Sequence, residues 1–136
     1  MTSQIALTIE LRLLAYSALL CILLWPPYIL TAIRTFGLVR MVSYPTPEYV
    51  HLPEWARRSY RAHMNMVENI GPFAVLVILA ALTGASNELT ALGARMFFWS
   101  RIGQVALHTA GVPWGRTLTF AVGWAGMIII FLQIVN

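Results

Sequence analysis

Uncharged apolar runs alternate along this chain with short polar breaks. Three runs carry no charge: Leu13 to Ile33, Ile70 to Ala85 and Thr117 to Val135. A helix needs about 20 residues to cross a bilayer core, so each run with its flanks is long enough to span one. A fourth segment, Glu88 to Ala110, is less apolar and carries Arg95, Arg101, Gln104 and His108. The breaks are a Pro-containing polar loop over 41–54, a turn at 83–87 and a turn at 111–115. The pattern predicts helices over roughly 5–36, 54–82, 88–110 and 116–135. Leu52-Pro53-Glu54-Trp55 has the proline and acid of a first helical turn. Trp25-Pro26-Pro27 predicts a kink in the first helix, because proline lacks the amide donor and crowds the preceding turn. Four helices with short connections imply a single all-α domain, an antiparallel four-helix bundle.

Composition places that bundle in a membrane. Apolar residues make up 59% of the chain and charged residues 10%, with a mean hydropathy of +0.72. Soluble domains carry about 25% charged residues, so this chain cannot cover itself with a water-facing surface. The net charge is +4, and every basic residue is arginine. Nucleic acid is not the expected partner; in a membrane protein basic residues set topology. Arg34, Arg40, Arg57, Arg58, Arg61 and Arg116 fall at one end of the predicted bundle. That end is expected to be cytoplasmic, with both termini on the other side. Arg12 with Glu10, and Arg95 with Glu88, are expected surface pairs at the opposite end. Trp25, Trp55, Trp99, Trp114, Tyr28, Tyr44 and Tyr49 fit interface anchors. Cys21 is the single cysteine, which excludes an intrachain disulfide and a cysteine metal site. No basic segment precedes the first apolar run, so the N-terminus does not have the pattern of a cleaved signal.

The polar residues inside the predicted spans carry the functional information, since ionisable groups are costly in lipid. Arg58, Arg61, Asn65, Glu68 and Pro72 are spaced three, four, three and four apart. At about 100° per residue they occupy a sector of roughly 80° on one helix face. Pro72 also leaves the Glu68 carbonyl without its helical donor. Phe97, Arg101, Gln104 and His108 form a second stripe on the third predicted helix. Lipid cannot satisfy either stripe, so they face each other or a neighbouring subunit. A purely structural alternative pairs Arg61 and Glu68 with Arg101 and Gln104 to set the bundle's register. Arg57 and Arg58 are expected to snorkel to headgroups, and His63, off the stripe, to serve structure or a subunit contact.

Arg61-Ala62-His63-Met64-Asn65-Met66-Val67-Glu68-Asn69, followed by Pro72-Phe73, resembles the second-helix signature of the MAPEG family, the membrane-associated proteins of eicosanoid and glutathione metabolism. Ala110 to Leu118 is similar to the turn before the fourth helix in bacterial members. The resemblance covers essentially the whole chain. It implies a homotrimer with active sites between subunits on the cytoplasmic side, in a bacterial inner membrane, and glutathione as co-substrate. By that resemblance Arg61 holds a carboxylate, Asn65 hydrogen-bonds the peptide, and Glu68 takes the amine or orients an arginine. Arg101, Gln104 and Arg34 complete the glutathione-binding set. Arg116 stands near the thiol, where a cation favours the nucleophilic thiolate, with His108 beside it. Two positions depart from the family pattern: Met64 stands where some active members have arginine, and His108 where a tyrosine is common.

The implied function is a glutathione-dependent membrane transferase or peroxidase acting on lipophilic electrophiles that arrive from membrane lipid. The alternative is a non-catalytic protein of the same fold that binds a lipid or another thiol. An ion or proton pathway is a weaker third reading, because Glu68 is the one acid placed deep.

Overall fold

The structure is a computed structural model that describes residues 6–43 and 51–136. Ile5 and the loop residues Tyr44, Pro45, Pro47, Glu48 and Tyr49 lie outside the described residues. Among the described residues the chain is all-helical, in the order α1 (Ile9–Leu23), α2 (Trp25–Phe36), α3 (Leu38–Val42), α4 (Glu54–Thr83), α5 (Glu88–Ala110) and α6 (Pro113–Val135).

The first expected helix is therefore two helices, broken at Leu24. Pro26 and Pro27 sit in the first turn of α2, where a missing amide donor costs least, so the chain ends one helix and starts another. α1 begins at Ile9 rather than residue 5, because Thr8 caps it and its hydroxyl accepts from the Leu11 amide at 3.3 Å. Pro113 has the same effect on α6, which starts there and not at residue 116. Gly84, at φ 72°, ends α4 in the left-handed conformation that a side chain disfavours. Asn87 then opens α5 with a capping box, accepting from the Leu89 and Thr90 amides.

Among the described residues three stretches are long and apolar enough to cross a membrane: Ile9–Phe36, Glu54–Thr83 and Pro113–Val135. α5 matches α6 in length at 23 residues, but its polar stripe keeps it out of that group. α5 and α6 run antiparallel in close contact, from the Asn87 Nδ2–Gln133 Oε1 hydrogen bond at one end to Leu107 against Gly115 at the other. Gly93 and Gly126 make that approach possible. A Cβ on either would fall 2.5 Å from the other's carbonyl oxygen. In lipid, where apolar burial between helices gives little driving force, such backbone contact supplies the packing energy. Phe73 of α4 stacks on Phe97 of α5 with centroids 3.9 Å apart, at the centre of the main core cluster.

Two expected surface roles are overturned. Glu10 is not paired with Arg12 at the surface; it is 3% exposed, and Thr90 Oγ1 donates to its Oε1. The first turn of α1 favours a negative charge, and packing against the α5 cap excludes water from it. Tyr28 is not an interface anchor; it is 2% exposed, and its hydroxyl is hydrogen-bonded to His63 Nδ1 at 2.7 Å. That bond, with the Tyr28–Tyr60 edge contact, ties α2 to α4 just beyond the Leu24 break.

Candidate functional site

The arginines of the α4 stripe converge with the α5–α6 turn. Arg58 lies one turn from Glu54, and their side chains form an ion pair at 2.9 Å. Glu54 is solvent-exposed, so the pair contributes little stability. The Arg58 Nε–H also donates to the Thr109 carbonyl at 2.9 Å. That carbonyl is one of the last-turn groups of α5 that have no helical donor. Gly111 permits the contact: it ends α5 at φ 81°, and a Cβ there would fall 3.0 Å from Arg58 Nη1. Arg58 therefore does not snorkel to headgroups; an orphan carbonyl holds it over the turn.

The result is an open cavity of about 380 Å³, with Arg57, Arg58, Arg61, His108 and Arg116 in its wall and Glu54 at its edge. A second, smaller and more open cavity of about 250 Å³ adjoins it and shares His108 and Arg116. Asn65, Gln104, Thr117 and Phe120 complete its wall. The two spaces form a vestibule rich in cations and, beside it, a chamber of amides, one imidazole and an aromatic ring.

The stripes of α4 and α5 do meet, through Asn65. Its Oδ1 accepts from Arg101 Nη1 at 2.9 Å and from Gln104 Nε2 at 3.0 Å. Arg101 is 1% exposed, and its guanidinium faces the Phe97 and Phe120 rings at 5.4 and 5.5 Å. Ring faces attract a cation by their quadrupole and substitute for part of its lost hydration. Gly123 leaves the space, since a Cβ there would fall 2.7 Å from Arg101 Nη2. The register-setting contact is thus made by Asn65, not by Arg61 or Glu68.

The expected site residues separate into three groups. Arg61, His108 and Arg116 line the vestibule; Asn65 and Gln104 line the chamber. Arg101 supports Asn65 and stands in neither wall. Glu68 and Arg34 are exposed on the outside of the single chain, away from both cavities. Sequence reasoning missed Arg57, Arg58 and Glu54 as wall residues. The available signal was Arg58 itself, which shares the stripe with Arg61. Thr117 and Phe120 gave no signal, because their role depends on where Gln104 points.

An all-helical membrane protein with a cation-lined cavity between its helices is the class that fold and site define. A family model described as the MAPEG family matches residues 13–136, and the chain belongs to that family. It is also similar to the human (Homo sapiens) microsomal glutathione S-transferase 1, with 32% identity over 78 residues. That match covers 57% of this chain and spans about half, 50%, of the human protein's length. No solved structure matches this chain at a significant level.

Proposed function

We propose that this protein is a glutathione-dependent membrane transferase or peroxidase for lipophilic electrophiles. The single observation that carries the reading is the convergence of Arg58, Arg61, His108 and Arg116 on one vestibule beside a second cavity, in a member of the MAPEG family. Glutathione carries two carboxylates, an ammonium and a thiol. Arg61 binds a carboxylate in the vestibule. Arg116, shared by both cavities, holds the sulfur as thiolate where vestibule meets chamber. The thiolate attacks the electrophile in the chamber, and the guanidinium stabilises the charge. His108, next to Arg116 in both walls, donates to the sulfur or to the leaving atom.

Glu68 and Arg34 enter this reading through a four-helix subunit assembled as a homotrimer. Both side chains are exposed in one chain, where lipid would leave a carboxylate unsatisfied. A neighbouring subunit covers them and completes the glutathione site, with the arginine-rich end facing the cytoplasm of a bacterium. The test is spectroscopic. Glutathione added to the purified protein is expected to give thiolate absorbance that saturates with the bound fraction. Absence of heat on calorimetric titration with millimolar glutathione would rule the reading out.

A further inference from the structure

Two arginines stand on the outer surface at the end opposite the vestibule, outside the packing that Glu10 and Thr90 close. Arg12 and Arg95 are exposed, and neither forms an ion pair or a hydrogen bond among the described residues. The partner expected for Arg12, Glu10, is turned inward to Thr90. Contacts on either side of the two arginines fix how their helices align. Glu10 meets Thr90, and the Tyr16 and Phe98 rings meet with centroids 6.2 Å apart. Positions rise together on both helices, so α1 and α5 run parallel with a nearly constant offset. Arg12 and Arg95 fall between the two contacts, at one level. Arg12 is four residues before Tyr16 and Arg95 three before Phe98, so each shares a face with one ring of that contact. The two cations therefore flank one seam.

Beyond them the seam is apolar. Arg12, Tyr16 and Leu19 follow a four-three spacing on α1, as do Arg95, Trp99 and Ile102 on α5. All four apolar side chains are exposed. Like charges side by side repel without an anion, and the surrounding lipid offers anions only at its headgroups. Helical side chains lean toward the N-terminus of their helix, which sends both guanidinium groups toward the interface at this end. We propose that the α1–α5 seam binds one anionic phospholipid in the leaflet at the α4–α5 turn. Its phosphate sits between Arg12 and Arg95, whose planar guanidinium groups donate paired N–H bonds to phosphate oxygens. Its acyl chains run along Tyr16 and Leu19 on one side and Trp99 and Ile102 on the other. A zwitterionic lipid brings a cation of its own to a place that already holds two, so it binds less well. The site is separate from the vestibule and does not depend on glutathione.

The experiment is native mass spectrometry of the full-length protein in detergent, titrated with phosphatidylglycerol or phosphatidylcholine of the same acyl chains. Phosphatidylglycerol is expected to bind about ten-fold more tightly, at one site per chain, the order that two arginines at headgroup level supply. Arg12→Gln and Arg95→Gln are each expected to bring that ratio close to one. The double variant is expected to lose no more than either, because one phosphate needs both arginines. Arg95→Lys, which keeps the charge, is expected to retain the preference and guards against a variant that merely misfolds. Arg40→Gln, at the other end of the molecule, is expected to leave the ratio unchanged. Glycerophosphoglycerol, the headgroup without chains, is expected not to displace the lipid. Equal binding of the two lipids by the wild type overturns the proposal. Additive losses describe two arginines reaching separate headgroups, and an equal loss in Arg40→Gln describes net charge alone; either overturns it. Displacement by the bare headgroup leaves the apolar seam without a role and overturns it too. If Arg12→Gln or Arg95→Gln dissociates an oligomer while lipid charge makes no difference, the occupant is a carboxylate of a second copy and the lipid site falls.

Discussion

The two ends of the helix packing use polar residues in opposite ways. At the α4–α5 turn most of them satisfy one another, the buried Ser86 hydroxyl excepted. Asn87 caps α5 and bonds Gln133, Thr90 completes the capping box, and Glu10 accepts from Thr90. At the α5–α6 turn, polar capacity is left over. Three arginines besides Arg58 line one vestibule, and Gln104 Oε1 and His108 Nδ1 are buried without partners in residues that line the chamber. Buried polar groups in proteins nearly always find partners, and the end where unfilled capacity concentrates is the end that the proposed function uses. The satisfied end is a clasp. The difference shows that hydrophilicity alone does not mark a membrane site; unfilled hydrogen-bonding and charge capacity does.

Arg116→Ala should break the comparison most sharply. It removes the cation shared by both cavities while leaving the clasp intact. Glutathione turnover is expected to fall by about 10²–10³-fold, the typical effect of deleting one preorganised charge-stabilising group. The thiolate absorbance should fall with it, and thermal unfolding in detergent should be nearly unchanged. A variant that loses stability in step with activity would assign Arg116 a structural role.

Gly93→Val tests the packing that both ends share. The new Cβ would fall 2.5 Å from the Gly126 carbonyl oxygen and 2.8 Å from Ile130 Cγ1. Ile130 can rotate, but backbone cannot yield without separating α5 from α6. A loss of about 1–3 kcal/mol or more is expected from overpacking, read as a lower unfolding midpoint. Glutathione affinity should fall as well, because Gln104 and His108 lie on the displaced helix.

Glu10→Ala addresses the clasp alone. Thr90 loses its carboxylate acceptor but keeps the Asn87 carbonyl at 2.8 Å, so a cost of about 0.5–1.5 kcal/mol is expected, the net value of one hydrogen bond. Turnover at a temperature where the variant remains folded should match the wild type. A change in glutathione affinity would show that the two ends are coupled and that the contrast between them is too simple.

Much of this arrangement was legible in the sequence. The apolar runs located the spans, the proline pair marked as a kink the place where the chain in fact breaks at Leu24, and the three-four spacing put Arg58, Arg61 and Asn65 on one face of α4. Two things were not legible, for physical reasons. Spacing shows which side chains share a face but not which partner each will find. Asn65 took the contacts with Arg101 and Gln104 because its short amide fits where α4 and α5 approach, whereas Arg61 reaches the vestibule instead. Charge type also failed to indicate depth. Glu10 looked like a surface partner for Arg12, yet it is buried because the α5 cap supplies a donor. Glu68 looked buried, yet it is exposed in one chain, and its environment depends on what covers that face.

The smallest expected effect belongs to the link between these regions. His63 and Asn65 are two residues apart in the same signature, yet they project to different helices. Asn65 reaches α5, while His63 meets Tyr28 of α2. Tyr28→Phe keeps the ring contacts with Tyr60 and His63 and removes the hydroxyl bonded to Nδ1. A loss of about 1 kcal/mol is expected, the usual net value of one such hydrogen bond, seen as a small drop in unfolding midpoint. Its value lies in the second readout. If α2 is only packed beside the site, glutathione affinity will not move. If α2 carries Arg34 into the site, as the trimeric reading requires, loosening α2 should weaken glutathione binding more than the stability change accounts for. Double-mutant analysis with Arg34→Ala then separates the cases: additive effects place Arg34 outside the site, and a non-additive pair places it within.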